Sequence, residues 1–271
     1  MNARRIISWS TTFFAAFALS MFLAAIVTAY NYYSAFTADI DRLQNGHPVW
    51  RDGKLIAIQK KVPKGWIRAS RIDHEVKMAI VISEDWGFFG HNGIDVIQIK
   101  EAVWETLIYS ERLRGASTIT QQVVKNLFLT NERSYVRKFV EIIGALYMDK
   151  ALSKNQILEI YLNIAQFGDH LYGISDAAHH YFQKSAGELT VREGAFLAML
   201  LPNPVKYSQS YRRRELSRYA LNTINSILKK MRSAHILDEE NMEEALGSHF
   251  EWEDNISEEL HFPWSKFKIN I

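Results

Sequence analysis

The sequence predicts a mostly α-helical domain carried on a single N-terminal transmembrane helix. Residues 6–30 contain no charged side chain, and from residue 73 onward polar helix caps alternate with apolar residues at helical spacing. In a capping box, a Ser or Thr at the helix start exchanges hydrogen bonds with a Gln or Glu three residues later. Three such boxes occur: Thr118 with Gln121, Ser153 with Gln156, and Thr190 with Glu193. The 271 residues are enough to bury a sizeable core in such a domain.

The uncharged segment at residues 6–30 is long enough to cross the roughly 30 Å hydrocarbon core of a bilayer as a helix. Arg4 and Arg5 precede it, which by the positive-inside rule places the N-terminus in the cytoplasm and the rest of the chain outside. A cleaved signal peptide is the alternative, but its apolar region is usually only about 7–15 residues long. We therefore predict an uncleaved, single-pass anchor.

Composition limits the classes of partner. The net charge is +2, so global charge gives no reason to expect nucleic acid as a ligand. Any basic patch must therefore be judged locally. Cysteine is absent, which excludes disulfides and thiolate metal ligands and suits an oxidising compartment.

The sequence divides into four segments. Residues 1–30 form a cytoplasmic stub and anchor, 31–72 a connector, 73–232 the helical domain, and 233–271 a tail of unknown role. Within the connector, residues 54–62 are the best strand candidate, because Asp52 and Gly53 form a turn signal before them. Further on, Pro202 ends the helix that starts near Thr190, and one long amphipathic helix follows at about 211–231.

A helix is predicted at residues 134–151, with Ser134 as a simple cap because no Glu or Gln follows three residues later. Apolar residues cover most of its circumference, which predicts a buried helix. Arg133, Arg137 and Glu141 share the remaining stripe at i, i+4 and i+8. Charges on a buried helix must face partners or a cleft. An internal Arg137–Glu141 salt bridge is the alternative.

Glu84 and Asp85 end an apolar run and are followed by aromatic residues and a histidine. A carboxylate at a helix C-terminus beside apolar side chains is disfavoured as an anion, so its pKa rises. A raised pKa suits Glu84 for general-base catalysis. The alternative is a solvated acidic pair at a helix end.

Within residues 115–126, hydroxyl and amide side chains lie one helical turn apart, and Lys125 comes after them. Three cations then fall within a short span: Lys125, Arg133 and Arg137. Cations grouped around a cleft are suited to binding a pyrophosphate, although a solvated polar face is the alternative. Together with Glu84, this segment predicts a site that handles a sugar-phosphate.

Five ordered segments within residues 73–207 form a larger pattern. They are Glu84, Asp85, Phe88, His91 and Gly93; residues 115–126; Arg137, Lys138 and Glu141; residues 153–163; and residues 193–204. In these segments the chain resembles the peptidoglycan glycosyltransferases, lysozyme-like enzymes that polymerise lipid II. It is most similar to the monofunctional biosynthetic transglycosylases.

This resemblance implies a lysozyme-like helical head with a small membrane-proximal jaw, which residues 94–115 would supply. It implies that Glu84 is the base that deprotonates the 4-hydroxyl of the acceptor sugar, and that Glu141 is a second carboxylate on the donor side. The implied substrate-binding residues are the cations near the donor pyrophosphate and the hydroxyl and amide block: Lys125, Arg133, Arg137, Ser117, Gln121 and Gln122.

The implied reaction is polymerisation of lipid II into glycan strands, with inversion and release of polyprenyl pyrophosphate. The implied location is the bacterial inner membrane, with the domain on the periplasmic side. Lipid II, the growing glycan strand and membrane lipid are the expected partners, and other cell-wall synthesis proteins are candidates. No cofactor is expected. A divalent cation could assist the pyrophosphate, but the sequence shows no protein ligand set for one.

Two other functions remain open at this stage. A membrane-anchored lytic enzyme would also use a carboxylic acid, but it needs no pyrophosphate-binding cations. A non-catalytic cell-wall scaffold would need neither Glu84 nor Glu141.

Overall fold

The computed structural model describes residues 3–51, 53–109, 117–130, 132 and 134–253, and of residues 3–16, 25, 29, 103 and 105–109 it describes the backbone alone. The described part is mostly helical, as predicted. Its helices are α1 Ala3–Arg42, α2 His74–Glu84, α3 Val96–Tyr109, α4 Ile119–Phe128, α5 Tyr135–Ala151, α6 Lys154–Ile164, α7 Ile174–Phe182, α8 Val191–Leu200, α9 Pro204–Tyr207, α10 Gln209–Arg212, α11 Arg218–Ser233 and α12 Glu239–Gly247. Its strands are β1 His47–Arg51, β2 Lys54–Gln59, β3 Gln166–Gly168 and β4 Leu171–Tyr172.

The strands form two separate antiparallel hairpins. In the first, β1 pairs with β2 in a register that joins His47 to Gln59, and an irregularity follows Val49. The strand predicted at residues 54–62 is confirmed in its first part, because β2 ends at Gln59. The second hairpin joins β3 to β4 directly after α6.

The predicted helix starts are confirmed. Thr118, Ser153 and Thr190 each form a complete capping box, while Ser134 only accepts a hydrogen bond from the amide of Arg137. These caps satisfy backbone amides that have no partner inside the helix. Each helix therefore begins at a fixed residue, and this fixes which side chains face the core.

The core is continuous from the end of α1 to the C-terminal helices. Its largest fully buried side chains include Tyr161, Phe88, Phe167, Phe196 and Ile40. Leu237, Phe250 and Trp252 belong to the same core, so the chain after residue 232 also packs on the domain. Phe250 stacks on Trp252, with ring centroids 5.0 Å apart.

The last turns of α1 are packed against α5. A side chain at Gly144 would place its Cβ 2.6 Å from the Phe36 ring and 2.8 Å from Val124, so only glycine allows this approach. Ile40 and Leu43 are buried on the same helix, and the hydroxyl of Tyr147 donates to Asp41. The predicted connector thus begins with an element that packs against the domain.

The prediction that α5 is buried is wrong for its first half. Tyr135 is 97 % exposed, Val136 73 % and Phe139 65 %. The buried residues of α5 cluster from Glu141 onward, where the helix meets α4 and the end of α1. A helix whose surface is mostly apolar is covered either by protein or by lipid, and the sequence pattern does not distinguish between these two environments.

The single amphipathic helix predicted at about 211–231 is divided. The helix α10 ends at Arg212, and α11 begins only after Ser217, whose hydroxyl accepts from the amide of Ala220. Between them, Arg214 has a φ of 54°, which breaks the helical path.

The segment predicted as a jaw is described as far as residue 109, and most of it is α3. Ile97 and Trp104 are exposed on α3, as are Trp86 and Phe89 in the preceding loop. Among the residues whose side chains the structure describes, which leave out 3–16 of α1, no helix is both long enough and apolar enough to cross a membrane.

Candidate active site

Glu84 is the last residue of α2, and the buried residues before it determine its position. Val76, Ala79 and Ile80 lie in the core, so α2 is held by the protein interior up to its last residue, Glu84. Glu84 itself is half-buried. Burial raises the pKa of the Glu84 carboxyl above its ordinary value of 4.5, and hydrogen bonding from Gln122 and the charge of Lys125 partly oppose that rise.

A short relay of hydrogen bonds orients this carboxylate. The side-chain amide of Gln122 donates to Glu84 Oε2 at 2.8 Å, and the Tyr161 hydroxyl donates to Gln122 Oε1 at 3.3 Å. Tyr161 is 1 % exposed, and burial together with the charge of Glu84 raises the pKa of its hydroxyl well above 10.0. Tyr161 therefore remains a proton donor, and this fixes the direction of the relay.

Asp85 has a different environment from its neighbour. It is 2 % exposed, and its carboxylate contacts His91 Nε2 at 2.9 Å and accepts from the backbone amide of Ile119 at 2.9 Å. Ile119 is the first residue of α4, where the helix dipole favours a negative charge. Asp85 thus ties the start of α4 to the end of α2 and places Gln122 beside Glu84. The alternative of a solvated acidic pair is therefore wrong.

A cavity of about 430 Å³ is lined by residues of α4, of α5 and of the segments beside them, and we call it the cationic cavity. Its wall is formed by Ser117, Gln122, Lys125, Thr130, Arg137, Lys138 and Glu141. Five of these are predicted site residues, and Gln122 links the cavity to Glu84. The wall carries three cations and one carboxylate, so its net charge favours an anionic ligand.

Glu141 lies beneath two of these cations. It is 2 % exposed, accepts from Arg137 Nη1 at 3.1 Å on one oxygen, and contacts Lys138 Nζ through the other. Lys138 also donates to the Ser117 hydroxyl at 3.1 Å. The Arg137–Glu141 ion pair, which was the alternative interpretation of the charged stripe, is present, but it lies in the wall of the cavity. The structural and functional interpretations of Arg137 are therefore compatible.

Lys125 has no such partner, because it makes no ion pair with the residues that the structure describes. Burial is the main cause that lowers the pKa of the Lys125 ammonium from 10.5, and the charges of Arg137 and Lys138 lower it further. Glu141 and Glu84 act in the opposite direction. A half-buried ammonium with no carboxylate in contact carries a desolvation cost, and an anion in the cavity would relieve that cost.

Two predicted residues do not appear in this wall. The side chain of Gln121 is buried and accepts from the amide of Thr118 at 2.9 Å as part of the capping box, so it holds α4 in place. Arg133 lies outside the described residues.

Sequence reasoning left three residues out of the site. Lys138 belongs to the third motif, but the sequence assigns it no role. Tyr161 lies among apolar residues, which predict a core position and not a place in the site. Thr130 follows the end of α4, where no pattern marked it.

One group of side chains has the spacing of a metal site. Ligand atoms of Asp85, His91 and Asp95 lie within 4.8 Å of one another. Most of their polar atoms already have partners in the fold: Asp85 binds His91 Nε2 and the amide of Ile119, and Asp95 Oδ1 accepts from the amides of Ile97 and Gln98. His91 Nδ1 is buried and has no hydrogen-bond partner among the described residues. We assign this group the task of shaping the loop after Glu84.

Comparison with known proteins identifies the family of this chain. The family profile described as Transglycosylase matches residues 52–232, which is more than half of the chain. The chain belongs to the transglycosylase family. The predicted family and its reaction class, peptidoglycan glycan polymerisation, are thereby confirmed, and they place the protein in the synthesis of the cell envelope.

Individual relatives carry matching names. The biosynthetic peptidoglycan transglycosylase of Acinetobacter baylyi is 44% identical over 151 residues, covering 56% of this chain and 67% of that protein. The protein of the same name from Shewanella amazonensis is 44% identical over 161 residues, covering 58% and 65%. Penicillin-binding protein 1A of Rickettsia typhi is 35% identical over 248 residues, covering 86% of this chain but 30% of its own length. The chain thus spans about two thirds of the first two relatives.

Proposed function

We propose that this transglycosylase polymerises lipid II by inverting displacement at the anomeric carbon of a lipid-pyrophosphate-linked donor. The donor's pyrophosphate occupies the cationic cavity, where Lys125, Arg137 and Lys138 hold it and stabilise the charge that develops as it leaves. The observation that carries the proposal is Lys125, a half-buried cation with no ion-pair partner among the described residues, which lines the same cavity as Gln122, the residue that binds Glu84.

Glu84 is the general base in this scheme. The hydroxyl of the acceptor sugar attacks the donor carbon while Glu84 takes its proton, and the pyrophosphate leaves from the opposite face. A base whose pKa is raised toward the operating pH accepts a proton more readily. The relay from Tyr161 through Gln122 holds one carboxylate oxygen, which leaves the other available to the acceptor.

Glu141 acts through the cations that it binds. Its two oxygens hold Arg137 and Lys138 side by side, which presents two fixed donors to the pyrophosphate. Ser117 fixes Lys138 from the other side. On the basis of the sequence, Arg133 is a further cation of this group. Gln121 contributes indirectly, because it caps the start of α4.

Two further parts of the proposal concern the membrane. The uncharged residues 6–30 lie within the continuous helix α1, and the large apolar side chains described between residues 17 and 27 are exposed. We propose that this part of α1 anchors the protein in the inner membrane with the domain outside. The exposed Ile97 and Trp104 support a lysozyme-like head whose jaw touches the same bilayer.

Purified full-length protein incubated with lipid II in detergent tests the proposal. Glycan polymer together with free polyprenyl pyrophosphate is the expected result. Cleavage of finished glycan with no action on lipid II would establish a lytic enzyme instead. Inactivity on both, from a protein that melts cooperatively, would favour a scaffold.

A further inference from the structure

Another cavity lies among the C-terminal helices, and we call it the tyrosine cavity. Its volume is about 430 Å³, which lies within the roughly 300–1,000 Å³ of ordinary small-molecule sites. It is lined by residues of α9, of α10, of the start of α11 and of the loop between α10 and α11, together with Met199 of α8. It shares no lining residue with the cationic cavity, and the proposed mechanism uses none of its residues.

The loop between α10 and α11 forms a fixed wall of this cavity. Arg214 has a φ of 54°, a conformation that residues other than glycine rarely adopt. Its amide donates to the Tyr211 carbonyl at 3.0 Å, and the amide of Glu215 donates to the Ser210 carbonyl at 3.1 Å. These bonds tie the loop to α10 and fix the backbone that carries Arg213 and Glu215.

Three charged side chains line the tyrosine cavity without an ion pair. Lys206 and Arg213 are the cations, and Glu215 is the carboxylate. None of them makes an ion pair with a residue that the structure describes. Lys206 Nζ lies 5.8 Å from the centroid of the Tyr207 ring, where a cation is attracted to an aromatic face. The wall therefore carries a net positive charge, and both cations are available to an anion.

A buried hydroxyl in the same wall adds a further donor. Ser210 is 5 % exposed, and its oxygen accepts from the amide of Ser217 at 3.5 Å. Its hydroxyl hydrogen has no acceptor among the described residues. Buried polar groups are nearly always paired, so a donor without an acceptor beside a cavity points to an acceptor oxygen on a ligand.

Two tyrosine rings supply an aromatic surface beside these polar groups. Tyr207 and Tyr219 are stacked, with ring centroids 4.8 Å apart and an angle of 29° between the planes. Tyr219 is still 49 % exposed, although it lines the cavity. A flat ring that packs on such a pair buries apolar surface on both sides of the contact. The cavity thus combines groups that bind an anion with a surface that suits a ring.

We propose that the tyrosine cavity is a second ligand site, and that it takes a small phosphate or carboxylate attached to a sugar or aromatic ring. Lys206, Arg213 and the Ser210 hydroxyl bind the anionic oxygens, while the ring packs on Tyr219. Glu215 lies in the same wall and weakens the binding of every anion. The site is independent of the proposed function, because its ligand contacts none of the residues to which that function is assigned.

A fluorine label on Tyr219 tests this proposal at the site itself. Full-length protein in detergent carries fluorotyrosine at position 219, and its fluorine NMR resonance is followed while phenyl phosphate is added. A saturable shift is expected, and its concentration dependence gives the Kd. Inorganic phosphate lacks the ring and benzyl alcohol lacks the anion, so each should bind about tenfold more weakly or worse. Phenylacetate, titrated in parallel, shows which of the two anions the site prefers.

Substitutions in the wall should change the Kd for phenyl phosphate with opposite signs. Arg213→Gln and Lys206→Gln should each raise it about tenfold, because a charge-assisted contact is lost. Glu215→Gln should lower it, since a repelling charge is removed. These three residues are exposed, so the variants should melt like the unmodified protein. Lys125→Ala is the control for an anion bound in the cationic cavity, and it should leave the Kd unchanged.

Three results would overturn the proposal. The first is a fluorine resonance that does not move with either phenyl phosphate or phenylacetate. The second is equal affinity for benzyl alcohol, which would show an apolar surface without an anion site. The third is a Kd that rises as much in Lys125→Ala as in Arg213→Gln, because the resonance would then report on the cationic cavity. Polymerisation of lipid II is measured separately, so failure of this site and failure of the proposed function are distinguishable.

Discussion

Gln122 donates a 2.8 Å hydrogen bond to the carboxylate of Glu84 and at the same time lines the cationic cavity. This one side chain joins the proposed base to the proposed pyrophosphate site. Its position depends on Asp85, which binds the amide of Ile119 at the start of α4. The adjacent carboxylates therefore have different tasks: Glu84 faces the chemistry, and Asp85 fixes the helix that supports it.

Glu84→Gln should lower turnover at saturating lipid II by about 10²- to 10⁴-fold, which is the usual contribution of a general base. The melting temperature should not fall, because the change removes a carboxylate whose burial disfavours its charged form. Glu75→Gln, at the opposite end of α2, is the matched control and should polymerise normally. Near-normal turnover in Glu84→Gln would show that the carboxylate has no catalytic part.

The rate should depend on pH with two limbs. Glu84 must be ionised to accept a proton, and its pKa is raised above 4.5, so activity should fall on acidification at a higher pH than for an ordinary glutamate. Lys125 must be charged, and its pKa is lowered from 10.5, so activity should also fall on the alkaline side. In Lys125→Arg the alkaline limb should move to higher pH, since arginine stays protonated. If the alkaline limb of Lys125→Arg lies at the same pH as that of the unmodified protein, Lys125 is not the group that titrates there.

Lys125→Ala should leave the fold intact and lower turnover by about tenfold or more, because a charge-assisted contact to the leaving pyrophosphate is lost. Thermal unfolding and polymerisation should be measured on the same samples. Lys150→Ala, an exposed lysine in the last turn of α5, provides the control. Unchanged melting together with unchanged polymerisation in Lys125→Ala would weaken the case for a glycosyltransferase over a lytic enzyme.

Arg137 should affect both stability and turnover. Arg137→Ala leaves Glu141 buried with Lys138 alone, so the melting temperature should fall along with the rate. In the double variant Arg137→Ala/Glu141→Gln the melting temperature should recover while turnover stays low. Arg137→Lys should restore only part of the turnover, since lysine lacks the planar fork. Recovery of both properties in the double variant would mean that Arg137 is purely structural.

Topology offers a test that does not depend on the chemistry. A reporter enzyme that functions only outside the cytoplasm, fused after Ile271, should be active in cells. The same reporter fused before Met1 should be silent, because Arg4 and Arg5 hold that end inside. The opposite pattern would contradict the proposed anchor.

Much of the local structure could be predicted because caps are local. The boxes at Thr118, Ser153 and Thr190 each depend on two residues three apart, and each is confirmed. The break between α10 and α11 could not be predicted in this way. It depends on a single left-handed residue, Arg214, of a type that rarely adopts this conformation.

The site was predictable in its residue types but not in its contacts. Glu84 and the cations are ionisable residues in unusual contexts, which a sequence displays directly. The buried hydroxyl of Tyr161 became part of the site only because α6 packs against α4. The exposed face of α5 escaped prediction for another reason: an apolar stripe does not say whether protein or lipid covers it.

The close packing of Phe36 against Gly144 fixes the position of α1 relative to the domain. Because the end of α1 is locked to the helix that carries Arg137 and Glu141, one added residue near position 31 would rotate everything before it by about 100° and shift it by about 1.5 Å. The same addition between Leu43 and His47 would be absorbed by a turn. If residues 6–30 anchor the protein as proposed, the length and rotation of α1 therefore determine how far the candidate active site lies from the bilayer and in which direction it opens.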